Sequence, residues 1–243
     1  MGILGGMGPE ATVLLMARVI GATPARDDSD HIPLIVDQNP QVPSRISALI
    51  EGIGADPAPV LAAMTRRLKD AGAEALAMPC NTAHHYAPAI RAAVSIPLID
   101  MVALSAKAAL QAGHGAKIGI LGSPAIQRIG LFDTALEKEG MTAIYPADQT
   151  ALLAAIRTIK SEGATPAARA VLASAASDLV RQGAAVQLVA CTEFSVIADA
   201  AREEADVIDT LDVLTTEIVR FARRGDQQCF GGQNTHESRS NRS

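Results

Sequence analysis

Short apolar runs of β type alternate along the chain with longer segments whose apolar residues recur every three to four positions. That alternation is the pattern of βαβ units building a parallel sheet. The runs predict strands near 2–5, 32–36, 75–79 and 97–100, and again near 117–121, 142–145, 185–190 and 206–208. Four fall in each half. The helices between them carry start signals: Asp56-Pro57, Ser123-Pro124 and Thr165-Pro166 each set a capping side chain before a proline suited to a first helical turn. Gly21, Gly72, Gly113, Gly140 and Gly183 stand where the periodicity stops, as caps that tolerate a left-handed backbone.

The halves also share short motifs. Gly2-Ile-Leu-Gly5 recurs as Gly119-Ile-Leu-Gly122, and Pro79-Cys80-Asn81-Thr82 is echoed by Ala190-Cys191-Thr192-Glu193. The chain therefore predicts an α/β fold of two similar Rossmann-like domains, each with a four-stranded parallel sheet. Each offers a cysteine at the carboxyl end of its third strand, just before a helix, which is where open α/β sheets bind ligands. A pseudo-twofold arrangement faces the two thiols across one cleft. From Arg224 onward the chain is polar and loses hydrophobic periodicity, so 224–243 is expected to be a disordered tail in which Cys229 has no chemical part.

Composition narrows the function classes. The longest apolar runs, at 11–17 and 183–191, fall well short of the roughly 18 to 20 residues that span a bilayer. The N-terminal stretch has no basic, long-apolar leader pattern, so no membrane association and a cytoplasmic location are expected. A net charge of −5 without runs of Lys or Arg, and only two Tyr, four Phe and no Trp, leave no footprint for nucleic acid. Three cysteines without CxxC spacing suggest reduced thiols rather than disulfides or a zinc site.

A thiol near a helix start meets backbone N–H groups and the positive end of the dipole, which favour thiolate. Either cysteine alone is as readily a buried space-filler. Both together, at equivalent points of a repeat and each followed by a small polar residue, point to paired acid/bases. Such a pair suits removal of a proton from one face of a carbon and its return to the other, which is racemisation or epimerisation. Helix-start N–H groups would hold the carboxylate of the carbanionic intermediate.

Rival readings are weaker. Gly6-Met-Gly8-Pro-Glu-Ala11 has the GxGxxA form of a dinucleotide fingerprint, with Asp37 as a ribose-binding candidate. However, Pro9 removes an N–H from that turn, and an oxidoreductase leaves the thiols unexplained. His84-His85 point about 100° apart on a helix and find no ligand-like spacing to His31 or His114, so no metal is expected. Asp37 and Asn39 are also ordinary turn formers. A non-catalytic binding protein on this scaffold would be expected to lose a thiol.

Gly5-Gly-Met-Gly-Pro-Glu-Ala-Thr12, Asn39-Pro-Gln-Val-Pro-Ser-Arg45, Pro79-Cys-Asn-Thr-Ala-His84 and Cys191-Thr-Glu193, in this order over 1–222, resemble the aspartate/glutamate racemase family, in its aspartate racemase-like branch. The resemblance implies a first domain of 1–98 closed by 209–223, a second of 99–208, and an active site between them. It implies interconversion of L- and D-aspartate, with glutamate as the other candidate, without pyridoxal phosphate, metal or other cofactor, in a homodimer acting on a small-molecule amino acid. By position, Cys80 and Cys191 match the catalytic thiols; Asn81, Thr82 and Thr192 match residues holding the α-carboxylate; Arg45 and Lys160 match the side-chain carboxylate site. Met7 and Glu193, within the matched motifs, join them as substrate-binding candidates. The Gly-Gly-Met-Gly turn and Glu193 depart from the Asp-Ser-Gly turn and histidine of cell-wall glutamate racemases, and argue against that type. Ala190, Phe194 and Ser123-Pro124 are further departures, which bear on substrate size and on the second-domain wall. A maleate-type isomerase or a racemase of another amino acid is the alternative within the superfamily; two retained cysteines disfavour a single-cysteine decarboxylase.

Overall fold

The computed structural model describes residues 1–113 and 116–230, and its elements alternate as β1 (Gly2–Gly5), α1 (Pro9–Ala22), β2 (Ile35–Gln38), α2 (Ala58–Asp70), β3 (Leu76–Ala77), α3 (Ala87–Ala93) and α4 (Met101–Ala112). The second half continues with β4 (Lys117–Leu121), α5 (Pro124–Arg128), α6 (Leu131–Glu137), β5 (Thr142–Ile144), α7 (Gln149–Glu162), α8 (Pro166–Arg181), β6 (Val186–Val189), α9 (Asp199–Arg202), β7 (Val207–Asp209) and α10 (Thr210–Phe230). All strand pairs are parallel, in two sheets ordered β2-β1-β3 and β5-β4-β6-β7. The α/β class and the doubling are as the patterning predicts.

The first sheet is a correction: it has three strands, and the fourth expected near 97–100 is a single parallel bridge from Leu98 to Leu76. The cause is local. Pro97 has no N–H to give a ladder, and Asp100 turns the chain into α4 by accepting from Ala103 N–H at 3.0 Å.

The repeated glycines have a packing reason. A Cβ on Gly2 would lie 2.8 Å from Ala73 Cβ, and one on Gly119 would lie 2.8 Å from Leu179 Cδ1, so each central strand runs against the end of the helix before its third strand. Those helices, α2 and α8, end alike, on Gly72 (φ +96°) and Gly183 (φ +86°), with the following N–H returning to Leu68 and Leu179 carbonyls at 3.0 and 2.9 Å. Gly113 and Gly140 also have positive φ, whereas Gly21 lies within the last turn of α1, which stops instead at Thr23. Thr165 caps α8 as expected, and Asp56 accepts from Ala58 N–H, the first residue of α2. Ser123 precedes α5 without capping it.

Apolar faces of the helices fill four clusters, two per sheet. The last helix crosses back: Leu211, Leu214 and Ile218 bury against Ile3, Leu15 and Val19 of the first half. It continues to Phe230, through positions 224–230 that the loss of periodicity assigned to the tail. Residues 231–243, His114 and the side chain of Cys229 lie outside the described residues.

Candidate active site

Strand ends position both thiols. Past β3 the chain runs Met78-Pro79 to Cys80, whose N–H bonds back to Met78 O at 2.8 Å, and a 3₁₀ turn over Thr82–Tyr86 follows. Past β6 it runs through Ala190 to Cys191, whose carbonyl accepts from Phe194 and Ser195 N–H at 2.9 and 3.2 Å as a second 3₁₀ turn begins. Both cysteines are 7% exposed and are reduced. They line one cavity between the halves, together with Met7, Ser44, Arg45, Ile46, Thr82, Ser123, Ile156, Lys160 and Glu193.

Of the residues singled out in the sequence, the fold thus brings seven to one place: Cys80, Cys191, Met7, Arg45, Thr82, Lys160 and Glu193. Asn81 and Thr192, expected to hold the α-carboxylate, are not among the lining residues. Asn81 Nδ2 donates to Thr210 Oγ1 at 2.9 Å, and Thr192 Oγ1 donates to Pro79 O at 3.1 Å. Each ties a cysteine-bearing turn to the other half or to α10, which is a bracing geometry. Asn81 Oδ1 is buried and finds no hydrogen-bond partner among the described residues. Four lining residues were not singled out as site candidates. Ser44 lies inside the Asn39–Arg45 motif and Ser123 just beyond a repeated Gly-Ile-Leu-Gly, so both had a signal; Ile46 and Ile156 had none, being apolar residues in helical patterns.

The electrostatics centre on Glu193. Its Oε2 accepts from Cys191 Sγ at 3.0 Å, and its Oε1 lies 3.0 Å from Lys160 Nζ. Burial, and then the neighbouring carboxylate, push the Cys191 thiol well above its ordinary 9.0, with Lys160 offsetting only part. This corrects the expectation that helix starts make both thiols acidic. A 3₁₀ turn of four residues has little dipole to offer, and the nearest charge is negative. For Lys160, burial acts to lower the pKa but is outweighed by Glu193, so the net shift is upward and the ammonium is held charged.

Arg45 is anchored rather than free: its guanidinium donates to the carbonyls of Pro43, Val42 and Met7 at 3.0, 3.3 and 3.4 Å. Its segment leads into a π-turn over Ser47–Glu51 strapped to the second half by Arg128 Nη1 on Ile50 O at 2.6 Å and by Arg157 with Glu51 at 3.4 Å. The cavity beneath is about 40 Å³. That is room for only a few waters, each needing on the order of 10 to 15 Å³ of such space. A neighbouring groove of about 700 Å³ shares Ser44, Arg45, Lys160 and Glu193 with it, so the cavity at the thiols adjoins a larger cleft.

Three of the residues behind the rival readings are otherwise engaged. Asp37 pairs with Arg67 at 2.7 Å, and Asn39 accepts from Gln41 N–H in a turn. His84 is buried, with Nδ1–H donating to Cys80 O at 2.9 Å and Nε2 accepting from Met101 N–H at 3.3 Å. Among the described residues no three His, Cys, Asp or Glu side chains converge as metal ligands, and no helix is long and apolar enough to cross a membrane.

Comparison with known proteins matches residues 4–218 to the family model described as Asp/Glu/hydantoin racemase. The broad specificity amino-acid racemase RacX of Bacillus subtilis is 26% identical over 234 residues, covering 90% of this chain and 96% of that protein. Aspartate racemase of Picrophilus torridus superposes with a TM-score of 0.81 at 27% identity, over 92% of this chain and 94% of that one. Glutamate racemase RacE1 of Bacillus anthracis shares the fold, with a TM-score of 0.68 at 19% identity over 92% and 81% of the two chains.

Proposed function

The chain belongs to the Asp/Glu/hydantoin racemase family, and from that premise we propose that it interconverts L- and D-aspartate, with glutamate as a second substrate, by proton transfer between Cα and the thiols of Cys80 and Cys191. The observation that carries this reading is the meeting of both repeat-related cysteines in one cavity that also holds Arg45 and Lys160. One thiolate takes the proton from Cα as the opposite thiol gives one back, so stereochemistry inverts without any other acid or base. Two cations at the same wall suit a dicarboxylate, whose charge a carbanion at Cα increases further. The resemblance to an aspartate racemase over nearly the whole chain supports the same substrate.

A second reading, racemisation of amino acids with other side chains, draws on two observations. One relative is named for broad specificity, and Glu193 already occupies Lys160, so a side chain that donates hydrogen bonds finds an acceptor where a carboxylate finds a cation.

Incubation of the reduced, purified protein with L-aspartate, L-glutamate and a panel of neutral and basic amino acids in D₂O, read by chiral chromatography with mass detection, tests both. The expected result is D-aspartate carrying one solvent deuterium at Cα. Exchange confined to another amino acid would move the assignment to the second reading, and no exchange with any would overturn racemisation.

A further inference from the structure

The repeat relates Cys80 and Cys191 by position, yet their surroundings differ. Cys191 Sγ, Glu193 and Lys160 Nζ form a chain with two contacts of 3.0 Å. At the matching place in the first half, two residues after Cys80, stands Thr82, whose hydroxyl shares a 3.3 Å hydrogen bond with Ser123 Oγ. Among the described residues Glu193 is the only carboxylate lining the cavity, and the other charged group facing it, Arg45, is held on backbone carbonyls.

We infer that Glu193 is a positioning residue that keeps the resting proton on Cys191, so that the resting pair is poised for one enantiomer, with Cys80 as base and Cys191 as acid, and the converse form serves the other. The geometry gives the cause. A carboxylate oxygen at hydrogen-bond distance from the sulfur stabilises S–H and repels the charge of S⁻. Lys160, on the far oxygen, holds that carboxylate in place. The buried thiol's upward shift has the same sign.

The inference rests on the two-thiol reading above for its catalytic meaning. In that cycle the C–H proton passes to Cys80 S⁻, and the Cys191 S–H proton passes to the opposite face of the same carbon. The protein is left with Cys80 as thiol and Cys191 as thiolate, and one proton must return from the first to the second before the resting form is restored. Glu193 loses and gains no proton overall.

The test reads the thiols directly and needs no turnover. The full-length protein is treated briefly with limiting iodoacetamide at about pH 8, near the ordinary range of a free thiol, and the tryptic peptides bearing Cys80, Cys191 and Cys229 are quantified separately by mass spectrometry. Since only thiolate alkylates, Cys80 is expected to react about tenfold or more faster than Cys191. Glu193→Gln should speed Cys191 severalfold, and Lys160→Gln should slow it further. Opposite signs in the two variants are what a merely loosened site would not produce. Equal rates at Cys80 and Cys191 in the unaltered protein, or the same direction of change in both variants, would overturn the assignment. Racemisation is scored separately on the same samples. Thiol asymmetry without exchange at Cα would sink the racemase reading and leave the proton assignment standing, and exchange without asymmetry would do the reverse.

Discussion

At the scale of single residues, the two cysteines are equal in position and unequal in environment, and the proposed two-thiol cycle needs both in either direction. Racemisation has an equilibrium constant of one, so kcat/KM for the L and D enantiomers must be equal, whatever bias Glu193 imposes on kcat and KM separately. Cys80→Ser and Cys191→Ser should each lower kcat/KM in both directions by about 10²- to 10⁴-fold, the usual contribution of one acid or base. Chiral chromatography from each pure enantiomer, with circular dichroism to establish that the fold persists, is the measurement. A single variant racemising near the unaltered rate would exclude a two-thiol cycle. The cysteines were legible in the sequence because strand, thiol and small polar residue recur in order. The Cys191–Glu193–Lys160 chain was not, because Lys160 lies on α7, far from Cys191 in sequence, and only the packing of α7 beside the β6 turn brings ammonium and carboxylate together.

At the scale of elements, the turns after the third strands act as joints between the halves. His84 links the Cys80 carbonyl to the first N–H of α4, so the thiol-bearing turn is pinned to the start of that helix. Burial lowers the pKa of His84 below its ordinary 6.5, the Cys80 hydrogen bond opposing only in part. A depressed folded value means that this stability is fully present above about pH 6.5 and is lost as the pH falls through the lowered value, because the unfolded chain binds the proton first. His84→Gln can keep a donor and an acceptor but does not titrate. Between about pH 7.5 and 5 its thermal midpoint should therefore fall less than that of the unaltered protein, by differential scanning calorimetry. Parallel curves would show that another group carries the dependence. Sequence patterning found the elements themselves where it depended on local signals, as at Thr165 and Gly183, and missed where tertiary partners intervened. Ser123 reads as a cap, but its hydroxyl is spent on Thr82 across the cleft. The fourth strand of the first sheet reads as a strand by its apolar run, but Pro97 and the Asp100 cap leave one bridge.

At the scale of the molecule, the halves are held by one buried network as well as by the cleft. Asp209, with a fully buried carboxylate at the end of β7, accepts from Arg18 of α1 at 2.7 Å, from Ser195 Oγ at 2.7 Å and from Leu211 N–H at 2.9 Å. Arg18 also donates to Ser195 O at 2.9 Å and meets Asp212 of α10 at 2.9 Å. First helix, last helix and second half therefore meet at Arg18 through two ion pairs. Arg18→Met would leave a carboxylate buried without its counter-charge, and should cost about 3 kcal/mol in urea unfolding. A loss below about 1 kcal/mol would place the pair among those that solvent screens. What the sequence determined by itself was the α/β class, the doubling and the two cysteine turns. All of these follow from short-range periodicity, capping chemistry and the close approach of strand and helix that only glycine allows. The tertiary structure alone decided that Asn81 and Thr192 brace while Thr82 and Glu193 face the cavity. It also decided that the last helix crosses to the first sheet, and that one thiol lies against a carboxylate and the other does not. Direction of a side chain and the charge it meets depend on contacts between residues far apart in the chain, and periodicity carries no record of them.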